Sequence, residues 1–247
     1  MYTSSVDWSA DWLSGIAPTL SRLLWRGVEA QHVVATMKLV DTLAEQDILE
    51  RLLEGSKPPL PPAASGMHYL LSTPFRYPSP LPSRFRPAGA PGLWYGAETL
   101  PVAASEVGHW RWRFVIDSDG LAGREVVSEH TFFQARVDGR TLDLVEAPWS
   151  ALAEAWTHPS DYHECHRLAD AARSAGMQWI RYASVRHPVG VCAAVLDPLS
   201  LSLPAPLLQQ TWVCKASRHQ VLLVHEHDRL TLRFDGDGLP MQIVGDG

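Results

Sequence analysis

Cysteine is scarce. Cys165, Cys192 and Cys214 are the three in the chain, widely spaced and without a CxxC pair, which excludes a disulfide framework and a four-thiolate zinc site. Such thiol usage fits a reducing cytoplasm. No apolar run approaches the roughly 20 residues of a membrane-spanning helix, and no positively charged start leads into an apolar stretch, so neither membrane anchorage nor secretion is expected. Positive charge is also limited: 21 Lys and Arg stand against 27 Asp and Glu, giving a net charge of -6. The basic groups at Arg84 to Arg86 and Arg111 to Arg113 are too short to track a nucleic-acid backbone, which excludes nucleic acid as a direct partner. A GxGxxG turn and a Walker-type GxxxxGK[ST] are both missing, so the two common nucleotide-binding loops are excluded.

What is present is the composition of a folded chain, 46% hydrophobic and 19% charged. Val33, Met37, Val40, Ala44, Ile48 and Leu52 recur at helical spacing and predict an amphipathic helix from Val33 to Leu53, ending near Gly55. Lys57-Pro-Pro-Leu-Pro-Pro-Ala cannot continue it and reads as an extended connector. Residues 1–71 are therefore expected to form a helical N-terminal extension with its connector, and residues 72–247 the main domain. In that domain short strands rich in Tyr, Phe, Trp and Val predict an α+β fold with a mostly antiparallel β core. Asp138-Gly139 predicts a tight hairpin turn between His130–Val137 and Thr141–Val145. A helix is expected from Ser160, as N-cap, to Ser174 before Gly176, followed by strands at Gln178–Ser184 and Val189–Leu196. A closing meander is expected over Thr211–Lys215, Gln220–His225 and Arg229–Phe234.

The stretch from Ser83 to Glu98 joins a basic tip, Arg84-Phe-Arg86, to an aromatic strand, Leu93 to Ala97. Leu100 or Pro101 then opens a helix on which Glu106 is flanked by Val102, Ala103, Val107 and Trp110. A carboxylate on an apolar helix face is an exception that asks for a reason. A structural ion pair with Arg84 or Arg86 is one reading, and Tyr95 can equally be a core residue with its hydroxyl satisfied nearby.

Arg84-Phe-Arg-Pro-Ala-Gly, Leu93-Trp-Tyr-Gly-Ala, Ala104-Ser-Glu106 and Trp179-Ile-Arg-Tyr-Ala-Ser-Val-Arg186 together resemble the RES domain family. Leu24-Trp-Arg-Gly-Val-Glu-Ala-Gln and Ser56-Lys-Pro-Pro-Leu-Pro resemble the N-terminal segments of a subgroup, so the likeness runs from about Leu24 to Leu196. It implies an ADP-ribosyltransferase-like fold and the toxin of a toxin-antitoxin pair, which takes NAD as co-substrate and cleaves its nicotinamide–ribose bond. ADP-ribose then passes to water, phosphate or a protein target. By this resemblance Glu106 stabilises the ribosyl cation, Arg84 clamps the dinucleotide, Tyr95 stacks on nicotinamide or adenine, and Ser184 bonds the ribose or orients Glu106. Where the family usually has Gly-Arg-Phe/Trp-Asn, Ser83 and Arg86 replace the Gly and the Asn, so Arg84 and Arg86 both stand as the functional arginine. A cognate Xre-like antitoxin that blocks the cleft is implied, with room for a homo-oligomer in the complex, and no metal is expected.

Two other classes are weighed against this. His158-Pro-Ser-Asp-Tyr-His-Glu-Cys-His166 offers metal-type side chains for a hydrolase, but it lacks HExxH and a third converging ligand, and a helix end is the simpler reading. Trp8 and Trp12 would serve a non-catalytic protein-binding module, although tryptophans at such spacings are more often packing anchors.

Overall fold

The computed structural model describes residues 8–9, 11–15, 17–30, 39–121, 123–202, 206–234 and 240–246. In chain order come α1 (Asp11–Ser14), β1 (Thr19–Glu29), α2 (Leu43–Ser56), α3 (Tyr69–Arg76), β2 (Trp94–Ala97), α4 (Leu100–Ile116) and β3 (Val126–Asp143). They are followed by α5 (Ala153–Thr157), α6 (His163–Ser174), β4 (Trp179–Ala183) and β5 (Val191–Val195). The chain closes with β6 (Gln209–Ala216), β7 (Gln220–His225), β8 (Asp228–Phe234) and β9 (Pro240–Asp246). The fold is α+β, as expected. Among the described residues no helix is long and apolar enough to cross a membrane.

The strands form one nine-stranded sheet in the order β1-β2-β5-β4-β3-β6-β7-β8-β9, with a further pairing of β1 to β3. That pairing closes β1, β2, β5, β4 and β3 into a ring. The 18-residue β3 makes this possible, because β1 takes one of its edges while β6 and β4 share the other. Among the described residues only β3 and β4 run parallel. Leu24, Trp94, Phe133, Ala135, Val137, Trp179, Ala193 and Val195 come from all five ring strands and belong to one buried cluster. A side-chain cluster shared by every strand of a closed ladder lies inside it. Leu70, Leu71 and Phe75 of α3 join that cluster, so α3 plugs the ring. It sits close: an added Cβ on Gly92, just before β2, would fall 1.7 Å from the Pro74 carbonyl oxygen.

The outer face of the ring carries a second core, in which α4 and α6 pack on Ala97, Ile180, Tyr182 and Ala194. Helix α4 opens on Pro101, whose missing N–H is no loss in a first turn. Its small buried residues Ala103, Ala104 and Gly108 let it lie near the strands. Gly108 rests against β8 so tightly that a Cβ there would be 2.1 Å from Leu232 Cδ1.

Four expectations are corrected. The N-terminal segment is not helical throughout, since Thr19–Glu29 is strand β1 and pairs with β3 along its whole length. Leu24 is its one fully buried residue, so backbone pairing rather than side-chain alternation defines it. The helix expected from Val33 begins at Leu43, where Thr42 and Glu45 form a capping box; Val33 and Met37 lie outside the described residues. Asp138-Gly139 makes no hairpin: both residues continue β3 opposite Ser21 and Leu20. Gly139 is required there by φ +150 and by Gln178 Oε1, 2.4 Å from where a Cβ would be. Helix α6 starts at His163 rather than after Ser160, with Asp161 Oδ1 accepting from the His163 amide. The meander strands appear where expected, and β9 extends them.

Candidate active site

Ser83 and Arg86 exchange backbone hydrogen bonds of 2.8 and 3.1 Å, which makes Arg84 and Phe85 the tip of a tight turn. Their side chains diverge. Phe85 is fully buried and meets Tyr182 edge-on at 4.9 Å between ring centroids. The Tyr95 hydroxyl holds the turn from β2, lying 2.8 Å from Ser83 Oγ and accepting from the Phe85 amide at 3.1 Å. Burial raises the Tyr95 phenol above its usual range, against these two hydrogen bonds.

With Phe85 anchored, Arg84 enters a cleft of about 410 Å³ bounded by the Ser83–Arg84 turn, β1, β2 and α4. Its Nη1 donates to the carbonyls of Trp156 and His158 at 2.8 and 2.9 Å, and its guanidinium stands 4.9 Å over the Tyr162 ring. Arg86 is outside the cleft lining, with Nη2 donating to the Leu81 carbonyl. Of the two candidate arginines, Arg84 faces the cavity and Arg86 fastens the loop.

Glu106 reaches the same cleft from α4 and is half-buried. Among the described residues it makes no ion pair with Arg84 or Arg86, so the structural salt bridge is not formed. Ser184 Oγ, one residue past β4, instead donates to Glu106 Oε1 at 2.8 Å and accepts from the Arg186 amide at 3.1 Å. Cys192 Sγ lies 3.6 Å from the same carboxylate oxygen. Burial, then the neighbouring Glu106, pushes the Cys192 thiol well above its ordinary value, so it stays protonated and acts as a donor. The four residues singled out from the sequence, Arg84, Tyr95, Glu106 and Ser184, are therefore brought to one place.

Sequence reasoning missed three residues of this cleft. Arg186 is only 7% exposed, lines the cleft, and donates from Nη2 to the Pro159 carbonyl. Burial lowers its guanidinium, opposed by Glu106. It ends the Trp179–Arg186 motif, two residues after Ser184, so a signal was available. Cys192 lies across from Tyr182 in the β4–β5 ladder and is legible only once the register is known. Arg26 also lines the cleft and ties β1 to β2 by donating to the Tyr95 carbonyl at 2.7 Å, with burial lowering it to about 10.

The His158–His166 segment serves as scaffold. His158 Nδ1 accepts from the Ser160 and Asp161 amides, and His166 Nε2 meets the Ser83 carbonyl at 2.8 Å. Among the described residues no three His, Cys, Asp or Glu converge for a metal. Trp8 and Trp12 pack on Trp149, with centroids 5.7 and 5.1 Å apart, as anchors of the outer core.

His130 of β3 closes the far end of the cleft and is 2% exposed. Burial and the Arg111 guanidinium lower its imidazole to about 4, with Glu29 opposing. An imidazole lowered on folding binds protons more readily in the unfolded chain, so its stabilising effect is complete above the unfolded value near 6.5 and is lost as pH falls towards 4. Urea midpoints at pH 7 and 4.5 should show wild type losing about 2 kcal/mol more than His130→Gln over that interval. Equal losses would place the acid sensitivity elsewhere.

Two buried guanidiniums, Arg84 and Arg186, and a carboxylate oriented by Ser184 thus share one cleft. The RES domain profile matches residues 60–217, more than half of the chain, and the chain belongs to that family. Among solved structures, it is similar to a chain in the crystal structure of the M. tuberculosis MbcT-MbcA toxin-antitoxin complex, at 15% identity and a TM-score of 0.48. That likeness covers 82% of this chain and 89% of the other. Among curated proteins none matches.

Proposed function

We propose that this chain binds NAD and cleaves its nicotinamide–ribose bond, acting as the toxin of a toxin-antitoxin pair whose partner blocks the cleft. The observation that carries the reading is Glu106: a half-buried carboxylate that makes no close ion pair among the described residues, aimed by Ser184 Oγ and sharing the cleft with Arg84 and Arg186. The cleft volume of about 410 Å³ is within the range of small-molecule sites. Arg84 and Arg186 suit a pyrophosphate, because their bonds to carbonyls hold them in place without cancelling their charge.

In the reaction the bond from ribose C1′ to the pyridinium nitrogen breaks, and nicotinamide leaves neutral with the bonding electron pair. The cation left on the ribose is stabilised by the Glu106 carboxylate. A nucleophile with a labile proton then supplies the new pair to C1′ and loses that proton. Water, phosphate and a protein side chain each fit this requirement, and the product mass distinguishes them.

Incubation of the purified chain with NAD should release nicotinamide, measured by chromatography, and expression without a partner should arrest growth. Ser184→Ala should lower kcat roughly tenfold with little change in KM, since it loosens the aim of Glu106 rather than the hold on the dinucleotide. An unchanged kcat would remove Ser184 from the site. A soluble wild-type chain that leaves NAD intact would overturn the whole reading.

A further inference from the structure

The cleft continues beyond Glu106 to a second polar end that the proposed bond cleavage leaves unused. One turn further along α4, about 5.4 Å on, Trp110 and Arg111 form one wall, while Glu29 and His130 form the other. Trp110 is 56% exposed at the lip. Arg111 Nη1 is fixed on Glu29 Oε2 at 2.9 Å, and His130 Nε2 lies 3.1 Å from Ser128 Oγ. Two buried nitrogens here, Arg111 Nε and His130 Nδ1, have no hydrogen-bond partner among the described residues. Leaving such groups unsatisfied is destabilising, which makes the pair informative.

Their chemistry is complementary. Arg111 Nε can only donate. The imidazole, lowered to about 4, is neutral at pH 7, and in the tautomer whose Nε2–H donates to Ser128 Oγ its Nδ1 can only accept. The Arg111 charge is already balanced by Glu29, unlike that of Arg84 and Arg186, so this end does not suit a phosphate. It suits a flat, neutral group presenting one acceptor beside one donor, covered by the Trp110 indole.

We infer that this end, lined by Trp110, Arg111 and His130, is a carboxamide-recognising pocket that seats the nicotinamide leaving group. The inference rests on the proposed NAD cleavage and fixes the direction of the dinucleotide. With pyrophosphate drawn to Arg84 and Arg186 and ribose C1′ at Glu106, the ring attached to C1′ extends the other way along α4. After a small turn of the imidazole, the amide oxygen accepts from Arg111 and the amide N–H donates to His130.

Three dinucleotides test this on the full chain: NAD, its 3-acetylpyridine analogue, which keeps the carbonyl but lacks the amide N–H, and its hypoxanthine analogue, altered at the adenine edge. Wild type should favour NAD over the acetylpyridine analogue by about tenfold or more in kcat/KM and should accept the hypoxanthine analogue nearly as well. Arg111→Met and His130→Leu should bring the first ratio towards one. Because the two leaving groups differ chemically, the change in ratio on substitution is the decisive quantity. Folded variants that keep the wild-type ratio overturn the pocket, as does a wild type that discriminates only against the hypoxanthine analogue, which would put adenine on this wall.

If the variants do not fold, calorimetry on wild type decides instead. Nicotinamide should bind about tenfold more tightly than 3-acetylpyridine, and equal binding overturns the inference. Loss of all NAD turnover by folded wild type is the separate failure of the cleavage reading, and the calorimetric comparison still applies to the pocket.

Discussion

Glu106→Gln is expected to reduce nicotinamide release by about a thousandfold or more. The substitution keeps size and an oxygen able to accept from Ser184 Oγ, now 2.8 Å from Oε1, and removes only the negative charge. Because Glu106 is half-buried and makes no close ion pair among the described residues, its charge is available to a ribosyl cation in the proposed reaction. Loss of it should appear in kcat, with KM nearly constant, since Arg84 and Arg186 still hold the dinucleotide. The melting temperature should stay within about 2 °C of wild type. Glu106→Asp keeps the charge but withdraws it by one methylene, and an intermediate loss of about a hundredfold would separate placement from charge. A Glu106→Gln protein that retains a tenth of wild-type turnover would refute the assigned role, and the same protein should not arrest growth.

Gly92→Ala should be the most destabilising of the substitutions considered, by about 4 kcal/mol. A Cβ at this buried position would lie 1.7 Å from the Pro74 oxygen, 2.8 Å from the Pro74 carbonyl carbon and 3.2 Å from the Tyr77 oxygen. All three are backbone atoms, so no side chain can rotate away. Either β2 or α3 must move, and α3 carries Leu70, Leu71 and Phe75 into the ring. The same shift would displace Tyr95, three residues on, and with it the turn bearing Arg84. Gly55→Ala is the control, because nothing lies within 4 Å of a Cβ there and an exposed helical alanine is favourable by up to about 1 kcal/mol. Urea unfolding of the two variants beside wild type should place them on opposite sides, and a Gly92→Ala midpoint matching wild type would show that the plug is loose.

How much of this was legible follows from which forces act locally. Helix α4 could be read because Pro101 and the apolar spacing around Glu106 are local signals, and the C-terminal strands because short polar turns separate apolar runs. Strand β1 could not, since its register depends on β3, more than 100 residues away. Asp138-Gly139 misled for a related reason: the glycine answers to Gln178, just before β4, not to a turn. At the site, Arg84, Tyr95, Glu106 and Ser184 were accessible through motif resemblance, whereas composition offered only a folded chain. Choosing Arg84 over Arg86 required seeing Phe85 fall into the core between them. Cys192, Arg26 and the Arg111–His130 end became visible only after the strands had been set side by side.

The helix that presents Glu106 lies against Val221 and Leu232, near the Gly108 position. Both residues come after position 217, where the family match stops. The seat of the carboxylate is therefore tuned by a stretch outside the matched residues, as a violin string is tuned at a peg the bow never reaches. A larger side chain at position 232 would press on α4 at Gly108, two residues from Glu106, with every residue that lines the cleft left unchanged.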